Sequence, residues 1–287
     1  MRVLVLGGDG MLGHRLLKDL APHHDVKVTL RRSRLEYERF GLFTAENSFD
    51  EVEVRDHQRL AEVFAATAPD VVINAVGIVK QHRAANEVVE SLEVNALLPH
   101  RLASLCDIAD ARLIHISTDC VFAGDRGNYA EDSIADALDI YGRTKHLGEV
   151  SGPGCLTIRT SMIGLELHRK LSLVEWYLAQ TGKIRGFKNA IFTGLTTAEL
   201  GRVLKLLIKD YPQLSGVYHV AAQPISKYDL LKRLTELAGR EDVVVEPETE
   251  FHCDRSLIGE RFSTATDYKA PDWDTMLTEL ADEIRNR

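Results

Sequence analysis

Short β-branched runs alternate with longer amphipathic stretches through the first 160 or so residues. The apolar runs at 2–6, 26–30, 51–54, 71–75, 113–117 and 156–159 predict strands. Between them, 12–20, 58–66, 88–108 and 141–149 place apolar residues at helical spacing. Strand and helix in regular alternation predict a parallel sheet wrapped by helices. The runs at 71–75 and 113–117 are apolar on both faces, as strands covered from each side must be. The expected fold class is α/β, a doubly wound parallel sheet of the Rossmann type.

Beyond residue 160 the rhythm loosens. Helices are expected at 173–180, 197–207 and 227–237, with short strands at 217–220 and 243–245. Gly-Pro-Gly at 152–154 and the stretch 182–194 read as connections. This half is expected to be a smaller mixed α/β region laid over the carboxyl edge of the sheet, where doubly wound proteins bind ligands.

Composition narrows the function classes. Across 287 residues, 35 Lys and Arg against 43 Asp and Glu leave a net charge of −8, and no basic cluster exceeds Arg31-Arg32 with Arg34 nearby. A broad phosphate-binding face is absent, so nucleic acid is not an expected partner. Cys106, Cys120, Cys155 and Cys253 form no CxxC pair, which suggests free thiols in a reducing compartment. No segment reaches about 18 uninterrupted apolar residues, so a membrane is not expected and a cytoplasmic location is. The eleven histidines show no H-E-x-x-H or comparable spacing, and no metal site is expected.

Chemistry enters at the first turn. Gly7, Gly10 and Gly13 follow the first strand and open the first helix, where backbone N–H groups and the helix dipole can approach a pyrophosphate. Gly7, Gly10, Met11, Leu12 and Gly13 are therefore candidate cofactor contacts. That makes 1–160 a candidate dinucleotide-binding domain, completed by part of 195–223, and leaves 161–287 mainly for substrate. The second strand ends in Thr29-Leu-Arg31-Arg32-Ser33-Arg34 with no acid. Arginine there suits a 2′-phosphate, so NADP(H) is preferred and NAD(H) remains open; a solvated basic loop is the alternative. Asp56 could accept from an adenine amino group or cap the next helix. Asn74, Ala75, Val76 and Gly77 end the fourth strand with small residues, admitting a flat ring or ribose close to the backbone.

Ser117-Thr118-Asp119 ends the fifth strand, and Tyr141-Gly-Arg-Thr-Lys145 opens the following helix. Positions i and i+4 share a helix face, so a Tyr141 phenol and a Lys145 ammonium can converge. The cation would favour phenolate and make the tyrosine a usable acid. Tyr228 and Lys232 repeat the spacing, but in an amphipathic face remote from any such strand end.

Gly7 to Gly13, Asn74 to Gly77, Ser117 to Phe122 and Tyr141 to Lys145 together resemble the extended short-chain dehydrogenase/reductases. Ser-Thr-Asp-Cys-Val-Phe, Tyr-Gly-Arg-Thr-Lys and Arg159-Thr-Ser resemble more narrowly the dTDP-4-dehydrorhamnose reductase group. The resemblance implies that Tyr141 protonates the sugar oxygen while NAD(P)H delivers hydride. It implies that Lys145 holds the nicotinamide ribose and lowers the phenol pKa, that Thr118 orients the carbonyl, and that Asp119 and Met162 lie near the sugar. The implied substrate is a 4-keto-6-deoxy nucleotide sugar, for surface polysaccharide precursors. Nucleotide-sugar dehydratases place Glu after the matching Asp; Cys120 stands here, so dehydration is disfavoured.

A nucleoside diphosphate needs cations, and Arg185, Lys188, Arg255 and Arg261 stand in loop-like sequence. Arg255 is the first choice for substrate, against an ordinary surface arginine. Phe192-Thr193-Gly194 reads equally as a pocket wall or a tight turn. Lys80 and His82 follow the fourth strand as sugar contacts or solvated loop. His115 reads as a hydrogen-bonded core residue, and Asn95 as a helix-face amide or a link to a proton relay. Two other functions stay open. One is an epimerase with Cys120 or His82 as a second base; the other is a non-catalytic NADP-binding subunit, since the regulatory subunit of methionine adenosyltransferase has a similar fold. Oligomeric state is not fixed by the sequence, which leaves room for a homodimer.

Overall fold

Val3, Leu4, Val5 and Leu6 are all fully buried, the signature of a strand with helices on both faces. They belong to a sheet in a computed structural model that describes residues 1–78 and 87–287. In chain order the strands are β1 (Arg2–Leu6), β2 (Asp25–Thr29), β3 (Ser48–Phe49), β4 (Val71–Asn74), β5 (Arg112–Ile116) and β6 (Cys155–Arg159). They continue with β7 (Met162–Ile163), β8 (Gly182–Phe192), β9 (Leu195–Thr196), β10 (Gly216–His219), β11 (Ile225–Ser226) and β12 (Val243–Asp254). The main sheet runs β10-β6-β5-β4-β1-β2-β3. Pairings from β3 through β6 are parallel. The expected doubly wound parallel sheet is present, with the reversal of strand order at β1 and β4.

The helices are α1 (Gly13–Leu20), α2 (His57–Thr67), α3 (Val88–Ser91), α4 (Leu98–Ile108), α5 (Ile140–Leu147), α6 (Leu173–Leu178), α7 (Thr197–Lys209), α8 (Lys227–Ala238), α9 (Glu260–Thr266) and α10 (Trp273–Arg285). The expected single helix at 88–108 is instead α3, a π turn at Leu92–Leu97, and α4. Pro99 supplies the reason. It has no N–H for the carbonyl of Asn95 four residues back, and its ring crowds that carbonyl. The wider turn accommodates both.

Two compact units emerge. The first comprises 1–117, 138–158 and 201–217, and the second 118–137, 159–200 and 218–287. A single boundary at 160 with one return is thus too simple, because 118–137 belongs with the second unit. There Phe122, Tyr129 and Leu257 form a buried cluster, and Phe122 stacks on Tyr129 with ring centroids 4.2 Å apart. The core of the first unit gathers Leu4, Leu6, Leu60, Phe64, Val72, Leu102 and Leu113.

Several expected elements move. The third strand lies at Ser48–Phe49 rather than 51–54, since Glu51 adopts φ 52° and breaks the extended run. The stretch 182–194, expected as a connection, holds the eleven-residue β8, parallel to the twelve-residue β12. Alternation of buried and exposed residues in β8 is carried by Ile184, Gly186, Ala190 and Phe192, with glycine where Tyr228 approaches closely.

Arg112 closes the first unit. Buried at the start of β5, it donates from Nη1 to Leu207 O at 2.7 Å and from Nη2 to Leu214 O at 2.8 Å, tying the end of α7 to the sheet. Arg112→Met should destabilise the protein by about 1–2 kcal/mol, since the loss of two charge-assisted bonds and of partners for two carbonyls outweighs the relief of a guanidinium that burial lowers to about 10. Urea unfolding at pH 7 measures it.

Candidate active site

In the first unit, the turn after β1 is built on glycine for steric reasons. Gly7 has φ 86°, and a Cβ there would sit 3.1 Å from Val76 Cγ2. A Cβ at Gly13 would lie 2.0 Å from the carbonyl oxygen of Gly7, so α1 packs this closely only as glycine. Gly8, which the G-x-x-G-x-x-G spacing passes over, is equally constrained: its Cβ would meet Val28 at 2.6 Å. Gly10 N–H donates to Gly7 O at 3.0 Å, and Met11 and Leu12 lead into α1. No acidic residue stands in the first turn of α1. A backbone cradle at a helix N-terminus fits a dinucleotide pyrophosphate. Asp9 in this turn is buried but accepts from the Tyr37 hydroxyl at 3.0 Å. Burial first, and Asp9 second, push the Tyr37 phenol above its ordinary range.

Arg31 and Arg32 are exposed and face carboxylates, Glu53 at 3.9 Å and Glu36 at 2.9 Å. An acid does therefore stand near the end of β2, brought there from the segment before α2, where no reading of the β2 sequence could find it. Arg34 is used structurally, on Asp50 and Ser48. Asp56 is the N-cap of α2, accepting from Arg59 N at 3.0 Å through Oδ1.

Asn74 is completely buried, and its Oδ1 accepts from Val76 N at 3.1 Å, which shapes the Asn74–Gly77 turn. Asn95 is neither an idle surface amide nor visibly a relay. Its Oδ1 accepts from Ile78 N at 2.9 Å, its Nδ2 donates to Ile78 O at 3.1 Å, and Nδ2 also reaches Thr144 Oγ1 at 3.3 Å. The π turn thus brackets the peptide of Ile78 and joins it to α5. Gly148 lets the backbones close, because a Cβ there would lie 2.0 Å from Asn95 O. Contacts 17 and 49 residues apart have no local sequence signature.

The helix α5 starts with Asp139 as N-cap, accepting from Gly142 N at 2.8 Å. Tyr141 is half-buried on the same face as Lys145, whose residue is only 4% exposed. Lys145 Nζ donates to Ile116 O at 2.7 Å and lies 3.4 Å from His115 Nε2. Burial lowers the ammonium from 10.5 to about 8, with Glu149 pulling the other way. Glu149 accepts from Ser117 Oγ at 2.8 Å.

In the second unit, Thr118 Oγ1 donates to Asp119 Oδ1 at 3.1 Å and accepts from Cys120 N at 3.1 Å. Burial raises the Asp119 carboxyl, and Arg255 opposes that rise. Burial and then Asp119 push the Cys120 thiol up to about 12. Arg255, expected on the substrate, donates from Nε to Phe122 O at 2.8 Å and from Nη2 to Ala123 O at 3.0 Å. Much of its donor capacity therefore holds the 118–137 segment. Met162 sits in β7, paired with Leu195 of β9. Thr193 Oγ1 accepts from Leu257 N at 3.1 Å, and a Cβ at Gly194 would lie 2.3 Å from Ser161 O, so Phe192-Thr193-Gly194 is a tight junction. Lys188 and Arg261 lie over the rings of Tyr228 and Tyr218. Arg185 lines an open surface groove with Phe187 and Phe251. Lys80 and His82 lie outside the described residues. Among the described residues, no cluster of ligating side chains could hold a metal, and no helix is long and apolar enough to cross a membrane.

Lysine burial makes a thermodynamic prediction. Because the folded value of about 8 lies below 10.5, the cost of the buried ammonium is fully present below pH 8 and fades as pH rises to 10.5. Lys145→Met should stabilise the protein at pH 7 by about 1–3 kcal/mol, less than the shift alone implies because the bond to Ile116 O is lost. The gain should vanish as unfolding is repeated up to pH 10.5.

The chain matches the family model described as RmlD substrate binding domain over residues 1–285. It is similar to the dTDP-4-dehydrorhamnose reductase of Mycolicibacterium smegmatis, 30% identical over 86% of this chain and 72% of that one. It is also similar to the spore coat polysaccharide biosynthesis protein SpsK of Bacillus subtilis, 26% identical over 87% of this chain and 83% of that one. The fold matches the crystal structure of dTDP-4-dehydrorhamnose reductase from Bacillus anthracis in complex with NADP, with TM-score 0.79, 22% identity, and coverage of 98% and 99% of the two chains. A match across almost the whole length, on a sheet and glycine turn of this construction, shows that the chain belongs to the RmlD substrate binding domain family.

Proposed function

We propose that the protein is an NAD(P)H-dependent reductase of a 4-keto-6-deoxy nucleotide sugar, serving surface polysaccharide synthesis. The observation that carries this reading is Lys145, a lysine buried one helical turn beyond Tyr141 in a chain of the reductase family. The reductase and polysaccharide-synthesis names of the relatives support it.

Tyr141 is the acid that gives its proton to the 4-keto oxygen as the carbonyl becomes an alcohol. Lys145 stabilises the phenolate left behind, acting most strongly because little water screens it. Thr118 turns its hydroxyl from Asp119 to the carbonyl, and Asp119 and Met162 flank the sugar. For the cofactor, backbone groups of Gly7, Gly10, Met11, Leu12 and Gly13 take the pyrophosphate, and Asn74, Ala75, Val76 and Gly77 take the ring and ribose nearest the chemistry. Asp56 Oδ2, beside the capping Oδ1, takes the adenine amino group. When bound, the nicotinamide supplies the hydride. Arg31 and Arg32 favour NADPH, because their exposed pairs with Glu53 and Glu36 cost little to exchange for a phosphate. Arg255 acts through the 118–137 backbone and through its charge on Asp119.

Incubation with NADPH and a panel of 4-keto nucleotide sugars should consume the nicotinamide absorbance with at least one of them. Isomer formation without net oxidation, or no turnover with any sugar, overturns the reading. Tyr141→Phe should lower turnover by about 10²–10⁴-fold, the range for a general acid, while NADPH binding persists. Arg32→Ala should weaken NADPH by about tenfold and leave NADH within about twofold, one charge-assisted phosphate contact being lost. Fluorescence titration with each cofactor reads this directly.

A further inference from the structure

Beneath the Tyr141–Lys145 face of the first unit runs a hydrogen-bonded line whose direction is set by one backbone group. Val76 N–H donates to Asn74 Oδ1 at 3.1 Å, so the other end of that amide, Nδ2, faces His115. The Asn74 Nδ2 to His115 Nδ1 separation is 3.1 Å. An amide nitrogen only donates, so Nδ1 accepts, and a neutral imidazole that accepts at Nδ1 carries its hydrogen on Nε2. The ring is neutral: it is completely buried, and burial first, then Lys145 and His100, drive its pKa well below the usual histidine value. Its Nε2–H consequently points at Lys145 Nζ, 3.4 Å away. An ammonium has three donors and no lone pair, whereas an amine can accept this N–H while still donating to Ile116 O.

We propose that His115, oriented by Asn74, is a positioning residue that turns an N–H toward Lys145, disfavours its ammonium form, and so sets the pH at which the Tyr141–Lys145 pair gives up its proton. The effect on turnover rests on the reductase reading above; the effect on Lys145 does not. Other charged groups around the lysine are accounted for. Glu149, following α5, favours the ammonium and is itself engaged by Ser117 and His146. His100 of α4 acts on His115. From the helical segment packed on α5, Glu90 and Glu93 bring negative charge, and Glu93 pairs with Arg55 at 3.6 Å. Glu90 and Glu93 act on Arg55, so Glu149 is the carboxylate that favours the proton on Lys145, and His115 opposes it.

The test is a ¹³C-lysine NMR titration of the full chain, following Lys145 in wild type, His115→Leu and His115→Gln. Leucine removes the N–H and adds apolar bulk, so desolvation alone would lower the midpoint. The proposal expects the opposite, a rise of about one pH unit, while glutamine, whose amide N–H can stand where Nε2–H stood, stays within about 0.3 units of wild type. An unchanged or lowered midpoint in His115→Leu overturns it. Should that variant fail to fold, long-range ¹⁵N spectra of the wild-type imidazole decide: an Nε2–H tautomer that does not titrate between pH 5 and 9 upholds the proposal, and an Nδ1–H or doubly protonated ring overturns it. The alkaline limb of NADPH oxidation should move upward with the Lys145 midpoint in His115→Leu. A shifted midpoint in a protein inactive on every 4-keto sugar would refute the reductase reading and leave this inference standing.

Discussion

A single buried ammonium sets the terms for the first unit. Lys145 lies at 4% exposure with its Nζ held on a strand carbonyl, where water cannot stabilise the charge. Such a position costs stability, and side chains this unfavourable are kept at sites of chemistry more often than in ordinary cores. The groups around it follow from that cost. Ile116 O takes one N–H at the end of β5, and Glu149 contributes a charge of opposite sign. Burial still dominates, which brings the ammonium down to about 8 and so within reach of the working pH.

Holding α5 in register is the second requirement, and it is met by close backbone approach rather than by side-chain bulk. Pro99 removes the hydrogen bond that would have fallen on the Asn95 carbonyl, and the π turn at Leu92–Leu97 opens around it. Gly148 then allows α5 to come against that carbonyl. The same turn aims the Asn95 side chain at both polar atoms of Ile78. Proline, asparagine and glycine each look unremarkable alone; together they fasten the turn after β4, at Ile78, to the helix that carries Tyr141.

What was legible in the sequence was local. The apolar period marked β1, β2, β4, β5 and β6 within a residue or so, and the helical offset put Tyr141 and Lys145 on one face of α5. Legibility failed where composition mimics a loop. Gly182, Gly186 and Gly194 in one stretch suggested a connection, and Glu246 to Glu250 carry too much charge to suggest a strand, yet β8 and β12 pair along their length. The period of Trp273, Met276, Leu277, Leu280 and Ala281 would have marked α10. It failed differently where partners are distant in the chain. Nothing beside Arg255 announces that it holds the carbonyls of Phe122 and Ala123, and nothing beside Arg31 announces Glu53.

The second unit bears on which reaction the family scaffold performs. Inverting a sugar carbon by proton transfer requires a base able to work on the face opposite Tyr141, and Cys120 is the residue that sequence alone offered for it from this unit. Its thiol is pushed up to about 12, first by burial and then by the neighbouring Asp119. A thiol raised that far is a poor general base, because the pKa of such a group should sit near the working pH. Thr118 and Asp119 supply a hydroxyl and a carboxylate that Arg255 helps to keep charged. A group that can orient a carbonyl, beside a thiol this hard to ionise, suits hydride addition with one proton donor and removes Cys120 as the second acid–base group of an epimerase.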